Sequence, residues 1–226
     1  MKTMFIEAHS NEPIFPAVAN NIKEISKFKK IGLFTTVQHI KELAKVKEFL
    51  EKQGISVLIK SSIKTANRQG PCATYGGQLL GCDASAAKSM NVDAFVYIGT
   101  GEFHPIAISL ESNKPVIKIN PYSKKLERIE DTVRRKWLAR QAARVSKLQD
   151  AKKIGIILST KPGQYKPKLA ERLSKKFKNS YVFITDMISS QAIMDFPDID
   201  VWINTACPRL VEDSWPRPFL NADEIL

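Results

Sequence analysis

Short apolar, β-branched runs alternate with longer segments of helical periodicity along the whole chain. Strands are predicted at residues 4–8, 31–36, 55–60, 94–99, 115–120, 154–160, 181–185 and 201–205. Helices are predicted at residues 14–28, 38–53, 84–91, 104–112, 125–151, 167–178 and 188–194. Strands that alternate with helices are typical of βα units. The sequence therefore predicts an α/β protein with mainly parallel sheets flanked by helices, and no internal repeat is evident.

The helix predicted at 125–151 is the longest in the chain, and its apolar residues recur at three- and four-residue steps. A chain of 226 residues can hold two small domains. We therefore expect an α/β domain at residues 1–123 that carries Cys82, a bridging helix at 124–151, and a second α/β domain at 152–226 that carries Cys207.

Composition limits the partners and the location. Hydrophobic residues make up 43% and charged residues 26% of the chain, and no apolar run approaches the roughly 20 residues of a membrane span. The first residues lack the long apolar run of a secretory signal, which predicts a cytoplasmic protein with no membrane partner. The net charge of +12 favours acidic partners, but much of the excess lies on predicted helices without interleaved aromatic residues. Nucleic acid is therefore disfavoured as a partner.

Polar loops follow the predicted strands. Ligands of parallel sheets bind beyond the carboxyl ends of the strands. Five loops in these positions carry polar, glycine or cysteine residues, and they lie at residues 61–83, 99–104, 120–123, 159–164 and 205–209. We expect these loops to line one cleft between two domains.

The chain has three cysteines, Cys72, Cys82 and Cys207. Their spacing matches no common zinc site, and a cytoplasmic location disfavours disulfides. Cys82 precedes a predicted helix whose N-terminus would lower the thiol pKa, and Cys207 follows an apolar strand. Thiolates gathered from two domains would suit an iron-sulfur cluster, and three protein ligands would leave one iron open to a substrate. From the residues alone, each cysteine could equally be a small buried apolar side chain.

Several ordered motifs, from about residue 75 to the C-terminus, resemble those of a known family. They are GQLLGCD at 77–83, YIGTGEFHP at 97–105, NPYS at 120–123, STKPGQ at 159–164, VWINTACPRL at 201–210 and PFLNADE at 218–224. The chain resembles the archaeal diphthamide synthase family, 2-(3-amino-3-carboxypropyl)histidine synthase.

The resemblance implies a transferase that uses a noncanonical radical reaction of S-adenosylmethionine (SAM). In that family three cysteines from three similar α/β domains hold a 4Fe-4S cluster, and SAM binds at its open iron. A 3-amino-3-carboxypropyl radical then adds to a histidine of elongation factor 2, in the first step of diphthamide biosynthesis. By motif, Cys82 and Cys207 match the family's second and third cluster ligands. The resemblance also implies a dimer.

The family's first cysteine lies in an N-terminal domain that has no counterpart in this sequence. Three explanations stay open at this point. In the first, Cys72, on the same loop as Cys82, replaces that ligand. In the second, the missing domain is a separate chain or was removed. In the third, the chain is a non-catalytic partner subunit that completes another chain's cluster.

The same resemblance suggests residues that contact SAM. Gly99, Gly101 and His104 would lie near its amino acid or adenosine part, although His104 could equally be a packing residue. Further contacts are expected from Lys161 and Gln164, ahead of a helix N-terminus, and from Arg209, which could bind the methionine carboxylate. A solvated turn and a carboxylate at a domain interface are the respective alternatives.

Two other functions remain as alternatives. A quinolinate-synthase-like iron-sulfur dehydratase also gathers three cysteines from three similar domains, but the YGGQLLGCD and ACPRL motifs argue against it. A basic nucleotide- or RNA-binding module without metal would bind in a salt-sensitive manner and would not need Cys207.

Overall fold

A computed structural model describes residues 4, 6–62, 73–88 and 90–226. The chain divides into two units, residues 1–134 and 135–226, with the division inside the long helix that follows the first sheet. Each unit contains one sheet. Among the described residues, no helix is both long enough and apolar enough to cross a membrane.

The first unit is built on a five-stranded sheet of order β2-β1-β3-β4-β5, in which β5 alone runs antiparallel to its neighbour. Its strands are β1 (Lys30–Thr35), β2 (Ser56–Leu58), β3 (Ala94–Ile98), β4 (Val116–Ile119) and β5 (Leu126–Arg128). Its helices are α1 (Phe15–Asn20), α2 (Ile22–Ile25), α3 (Leu43–Lys52), α4 (Ser85–Lys88) and α5 (Phe103–Glu111), with a 3₁₀ helix at Val37–Glu42.

The second unit is built on a four-stranded parallel sheet of order β7-β6-β8-β9. The helix α6 (Asp131–Gln149) leads into it. Its strands are β6 (Ile154–Ser159), β7 (Ser180–Thr185), β8 (Val201–Asn204) and β9 (Phe219–Asn221), and its helices are α7 (Pro167–Lys176) and α8 (Ser190–Met194). Short 3₁₀ helices follow at Pro208–Glu212 and Ala222–Glu224.

Both sheets are covered on both faces, which explains why their central strands are almost continuously apolar. Every residue of β3, β4, β6 and β8 is buried. In the second unit, Ile156 packs in one core cluster and Trp202 in another, together with Phe183. The predicted α/β class with mainly parallel sheets is confirmed.

The two units repeat the same topology, so the expectation of no internal repeat was wrong. In both, the first strand lies between the second and the third, with the fourth beyond the third. The sequence KKIG opens the first strand of each, at 29–32 and 152–155. A carboxylate oxygen of Asp93 accepts hydrogen bonds from the amides of the first lysine pair at 3.1 and 2.9 Å. Asp200 does the same for the second pair at 2.8 and 2.9 Å.

A second element of the repeat lies at the centre of each sheet. Gly32 pairs with Phe95, and Gly155 pairs with Trp202, each pair on neighbouring parallel strands. A Cβ on either glycine would lie 2.5 Å from a ring atom of its partner. Each aromatic ring therefore occupies the space left by the missing side chain. The repeat is hard to detect in the sequence, because few residues besides the KKIG segments and the two aspartates are identical between the two units.

Some predicted elements were wrong. Residues 4 and 6–8 are not in a strand, because this segment pairs with no strand among the described residues and instead crosses the loop after β1, where the His9 ring donates to the carbonyl of Val37 at 3.0 Å. The helix predicted at 14–28 is interrupted at Asn21, whose φ of −109° is not helical.

The helix predicted at 125–151 begins only at Asp131. Leu126 pairs instead with Ile119 in β5, after a tight turn in which Lys124 has a φ of 56°. The short strand β9 was also missed, because Pro216 and Pro218 stand directly ahead of it and proline argues against a strand inside a sheet.

Candidate functional site

The loop that carries Cys82 is held against the end of β1. The amide of Thr35 donates to the carbonyl of Gly77 at 2.9 Å, and the amide of Leu79 donates to the carbonyl of Thr35 at 2.8 Å. A turn follows, closed by a hydrogen bond from the amide of Asp83 to the carbonyl of Leu80 at 2.9 Å. Cys82 lies in this turn as a partly exposed thiol. The loop thus presents the thiol from an ordered backbone.

The carboxylate of Asp83 accepts hydrogen bonds from Ser85, the first residue of α4. Asp83 is only 1% exposed, and the two donors are the amide of Ser85 at 3.1 Å and the Ser85 hydroxyl. The helix has four residues, so its dipole is short. The expectation that this helix N-terminus stabilises the Cys82 thiolate stays a prediction.

The Cys82 loop and the Gly99–Gly101 turn are brought together through Phe103. A Cβ on Gly81 would lie 2.0 Å from Cε1 of Phe103, so only a glycine allows this ring to pack against the loop. The sequence motifs contain both residues, but their spacing gave no signal that they touch.

His104 follows Phe103 in the first turn of α5. Its ring stacks on Tyr97, with centroids 5.6 Å apart and planes 10° from parallel. Burial lowers the pKa of His104 and raises the pKa of Tyr97, so both side chains are uncharged near neutral pH. His104 can therefore offer a ligand a hydrogen bond but not a positive charge.

Replacing Gly81 with alanine is expected to displace Phe103 and to lower the free energy of unfolding by about 1–3 kcal/mol, the usual cost of overpacking. Because the strain falls beside Cys82, the alkylation rate of this thiol should change, measured in a chain whose Cys72 and Cys207 are serine.

The matched control is Gly54→Ala. Gly54 has a φ of 80° and open space around it, so its replacement costs stability through backbone strain alone. This variant should leave the alkylation rate of Cys82 unchanged. Equal rates in all three proteins would contradict the packing role of Gly81.

Lowering the pH from about 7.5 to about 5.5 is expected to destabilise the first unit. Burial lowers the pKa of both His39 and His104, and for His39 it outweighs the opposite effects of Glu42 and Glu12. A histidine with a depressed pKa contributes stability above its unfolded pKa of about 6.5, and this contribution is lost as the pH falls below it. Denaturant unfolding at both pH values measures the loss.

Replacement of either histidine by glutamine should reduce this pH dependence. A double variant of His39 and His104 that lost as much stability on acidification as the wild type would refute the assignment.

In the second unit, Cys207 lies in the loop after β8, which ends at Asn204, and directly precedes a 3₁₀ helix that begins at Pro208. It is a partly exposed thiol. The hydroxyl of Thr205 donates to the carbonyl of Ile157 at 2.6 Å, which ties the start of the loop to β6. The ammonium of Lys166 lies 3.4 Å from the carbonyl of Ala206. The Cys207 loop therefore lies next to the loop that follows β6.

The loop after β6 contains Lys161 and Gln164. The amide of Lys161 donates to the hydroxyl oxygen of Ser159 at 3.2 Å, and the amide of Gln164 donates to the carbonyl of Lys161 at 3.0 Å. Lys161 is exposed and Gln164 is half-buried, ahead of α7. Arg209 is exposed on the 3₁₀ helix. The side chains of Lys161, Gln164 and Arg209 are therefore accessible to a ligand. Cys72, the other predicted ligand, lies outside the described residues.

The two described cysteines can be compared with the ligands that a 4Fe-4S cluster requires. Such clusters are held by cysteine thiolates, and Cys82 and Cys207 are both partly exposed thiols on loops beyond the carboxyl ends of strands. Within the described part of the chain, no group of three histidine, cysteine or acidic side chains could hold a single metal ion. Each of the two thiols, taken by itself, has the chemistry and the exposure of a cluster ligand.

Comparison with known proteins relates this chain to one protein family. Residues 1–226 match the family of diphthamide synthesis proteins. The chain is 33% identical over 233 residues to the 2-(3-amino-3-carboxypropyl)histidine synthase of Pyrococcus horikoshii, covering 99% of this chain and 64% of that protein. It is 32% identical over 209 residues to subunit 1 of that synthase from Schizosaccharomyces pombe, covering 86% of this chain and 46% of that protein.

Solved structures agree with the sequence comparison. The crystal structure of Dph2 from Pyrococcus horikoshii with a 4Fe-4S cluster superposes with a TM-score of 0.83 and 32% identity, covering 96% of this chain and 62% of that one. The chain spans between 46% and 64% of the length of these relatives. The match argues against the quinolinate synthase alternative. The chain belongs to the family of diphthamide synthesis proteins.

Proposed function

We propose that this chain takes part in the first step of diphthamide biosynthesis, the transfer of the 3-amino-3-carboxypropyl group from SAM to a histidine of elongation factor 2. The observation that supports this most is the match of residues 1–226 to the family, together with partly exposed thiols at both cysteines that its motifs mark as cluster ligands. Its relatives are named for this transferase activity.

In this proposal Cys82 and Cys207 hold a 4Fe-4S cluster as thiolates. When bound, the cluster supplies the electron that cleaves a carbon-sulfur bond of SAM. The chain's own residues bind and orient the substrate. The ordered backbones of both cysteine loops fix the thiolates, since hydrogen bonds tie these loops to β1 and β6.

The contacts to SAM are proposed for the loops beside the cysteines. Gly99 and Gly101 lie on the turn that precedes α5, and His104 lies in α5 next to Phe103, whose ring packs against the Cys82 loop. Because His104 is uncharged near neutral pH, it would donate or accept a hydrogen bond with a neutral part of SAM.

Cationic and amide groups are available in the second unit. There, Lys161, Gln164 and Arg209 would bind polar groups of SAM, and the exposed guanidinium of Arg209 suits its carboxylate. The proposed setting is the cytoplasm, where thiols stay reduced.

Anaerobic reconstitution of the 226-residue chain with iron and sulfide tests the proposal. Reduction with dithionite in the presence of SAM and elongation factor 2 should then follow. About four irons per chain, as one 4Fe-4S cluster contains, and release of methylthioadenosine are expected. Release of 5′-deoxyadenosine as the main product would contradict the proposed reaction.

A second candidate is a partner subunit that completes the cluster of another chain, either a second copy or a chain with a further domain. It is favoured by one observation: the described residues hold two thiols, whereas the proposed cluster takes three. The variant Cys72→Ala distinguishes the candidates. Loss of iron would assign the third ligand to Cys72, whereas unchanged iron and turnover would assign it to another chain.

A further inference from the structure

Two buried asparagines lie side by side at the carboxyl ends of β8 and β9. Asn204 and Asn221 are register partners in the parallel pair, and they are 2% and 7% exposed. The Nδ2 of Asn204 donates to the Oδ1 of Asn221 at 2.8 Å. We call this pair the amide clamp.

The amide clamp holds three consecutive residues by their backbone. The Oδ1 of Asn204 accepts from the amide of Ala206 at 2.9 Å, and its Nδ2 also donates to the carbonyl of Cys207 at 2.8 Å. The Nδ2 of Asn221 donates to the carbonyl of Pro208 at 2.9 Å. The backbone on both sides of the Cys207 side chain is therefore fixed by side chains that project from two strands.

The fold itself does not require the clamp. The internal repeat places Tyr97 and Lys118 at the positions of Asn204 and Asn221, since each pair occupies the same register on its third and fourth strands. Tyr97 stacks on His104, and the ammonium of Lys118 lies 2.6 Å from a carboxylate oxygen of Glu127. The first sheet thus forms without an amide pair, and the clamp occurs where the third strand leads into a cysteine.

Loss of a hydrogen bond in the amide clamp would act locally, on the backbone around Cys207. A buried polar group that is left without a partner destabilises its surroundings, so loss of one amide would release the backbone around Cys207. Groups that orient a metal ligand without touching the metal affect affinity about 10- to 100-fold.

We propose that Asn204 and Asn221 are positioning residues that fix the backbone of Cys207 and so direct its thiolate toward the iron-sulfur cluster. This inference rests on the proposed function of Cys207 as a cluster ligand.

The variant Asn204→Asp tests the proposal, because it keeps an oxygen for the amide of Ala206 but replaces the donor to Cys207 by a repelling oxygen. In the metal-free chain with Cys72 and Cys82 changed to serine, the alkylation rate of Cys207 should rise severalfold. In the reconstituted chain, iron retention against a chelator should fall about 10- to 100-fold. The electron paramagnetic resonance spectrum of the reduced cluster should also change.

Two controls separate positioning from general destabilisation. Asn179→Asp makes the same change at an exposed site of the same unit. Trp202→Phe weakens the core beside β8 without removing a clamp hydrogen bond. Neither control should change the alkylation rate or the spectrum. If Asn204→Asp does not fold, Asn221→Asp takes its place, since it keeps the acceptor for Asn204 and removes only the donor to Pro208.

The outcomes are distinguishable. If the clamp variant and Trp202→Phe change the alkylation rate of Cys207 equally, or if the clamp variant changes nothing, the positioning role is refuted. If the wild-type chain holds no cluster while the clamp variant still accelerates alkylation, the clamp orients the thiol but the proposed function of Cys207 fails.

Discussion

Replacing Cys207 with alanine is expected to lower the iron retained after anaerobic reconstitution by at least about tenfold, the scale that even supporting groups around metal ligands reach. Removing a thiolate deletes one ligand outright, and no histidine or carboxylate cluster among the described residues could substitute for it. The measurement is iron and sulfide per chain after gel filtration, together with the visible absorbance of the cluster. Cys82→Ala should have a similar effect.

The internal repeat provides a matched control for this prediction. Thr100 lies six residues after the first residue of β3, as Cys207 does after the first residue of β8. Thr100→Ala therefore changes the equivalent loop of the other unit without removing a thiol, and it should leave the iron content unchanged. Wild-type iron content in Cys207→Ala would rule out this cysteine as a ligand.

Replacing Trp202 with alanine is expected to lower the stability of the second unit by about 3–5 kcal/mol, as for other large aromatic side chains removed from a core. Trp202 is only 2% exposed. The centroid of its ring lies 4.6 Å from that of Phe183 and 6.2 Å from that of Phe196. The ring also fills the space next to Gly155. Hydrogen exchange of the β6 and β8 amides measures the loss where it occurs.

Trp202→Phe should cost less, because the indole nitrogen of Trp202 is buried without a hydrogen-bond partner among the described residues and phenylalanine removes that unpaired donor. Tyr181→Ala is the control at an exposed aromatic residue on the edge strand β7, and its effect should stay below about 1 kcal/mol. If Trp202→Ala were no more destabilising than Tyr181→Ala, the assigned core packing would be wrong.

The sequence predicted the central strands well because their signal is local. Most residues buried on both sides of a parallel sheet are apolar, so β1, β3, β4, β6 and β8 appear as nearly continuous apolar runs. The edge strand β5 has no such signal, since Leu126 is half-buried and its neighbours are exposed. The pairing of β5 with β4 depends on the turn at Lys124. Because of this turn Leu126 lies in a strand, although its apolar periodicity predicted a helix.

The chemistry of the site was predicted in part, for a related reason. Cys82, Cys207, His104 and Arg209 could be selected because their residue types and motif positions carry chemistry. The residues that hold the cysteine loops in place could not be selected in this way. Asn221 is 14 residues from Cys207 in the chain and holds it only because β9 lies beside β8.

The sequence by itself determined the α/β class, the central strands, the two motif cysteines and the family resemblance, because each follows from local composition or from ordered motifs. Tertiary structure decided the topological repeat, the packing of Phe103 on Gly81, and the amide clamp at Cys207. These features depend on which strands are neighbours and which side chains meet across them. Such contacts join residues that are distant in the chain, and no pattern within a single segment records them.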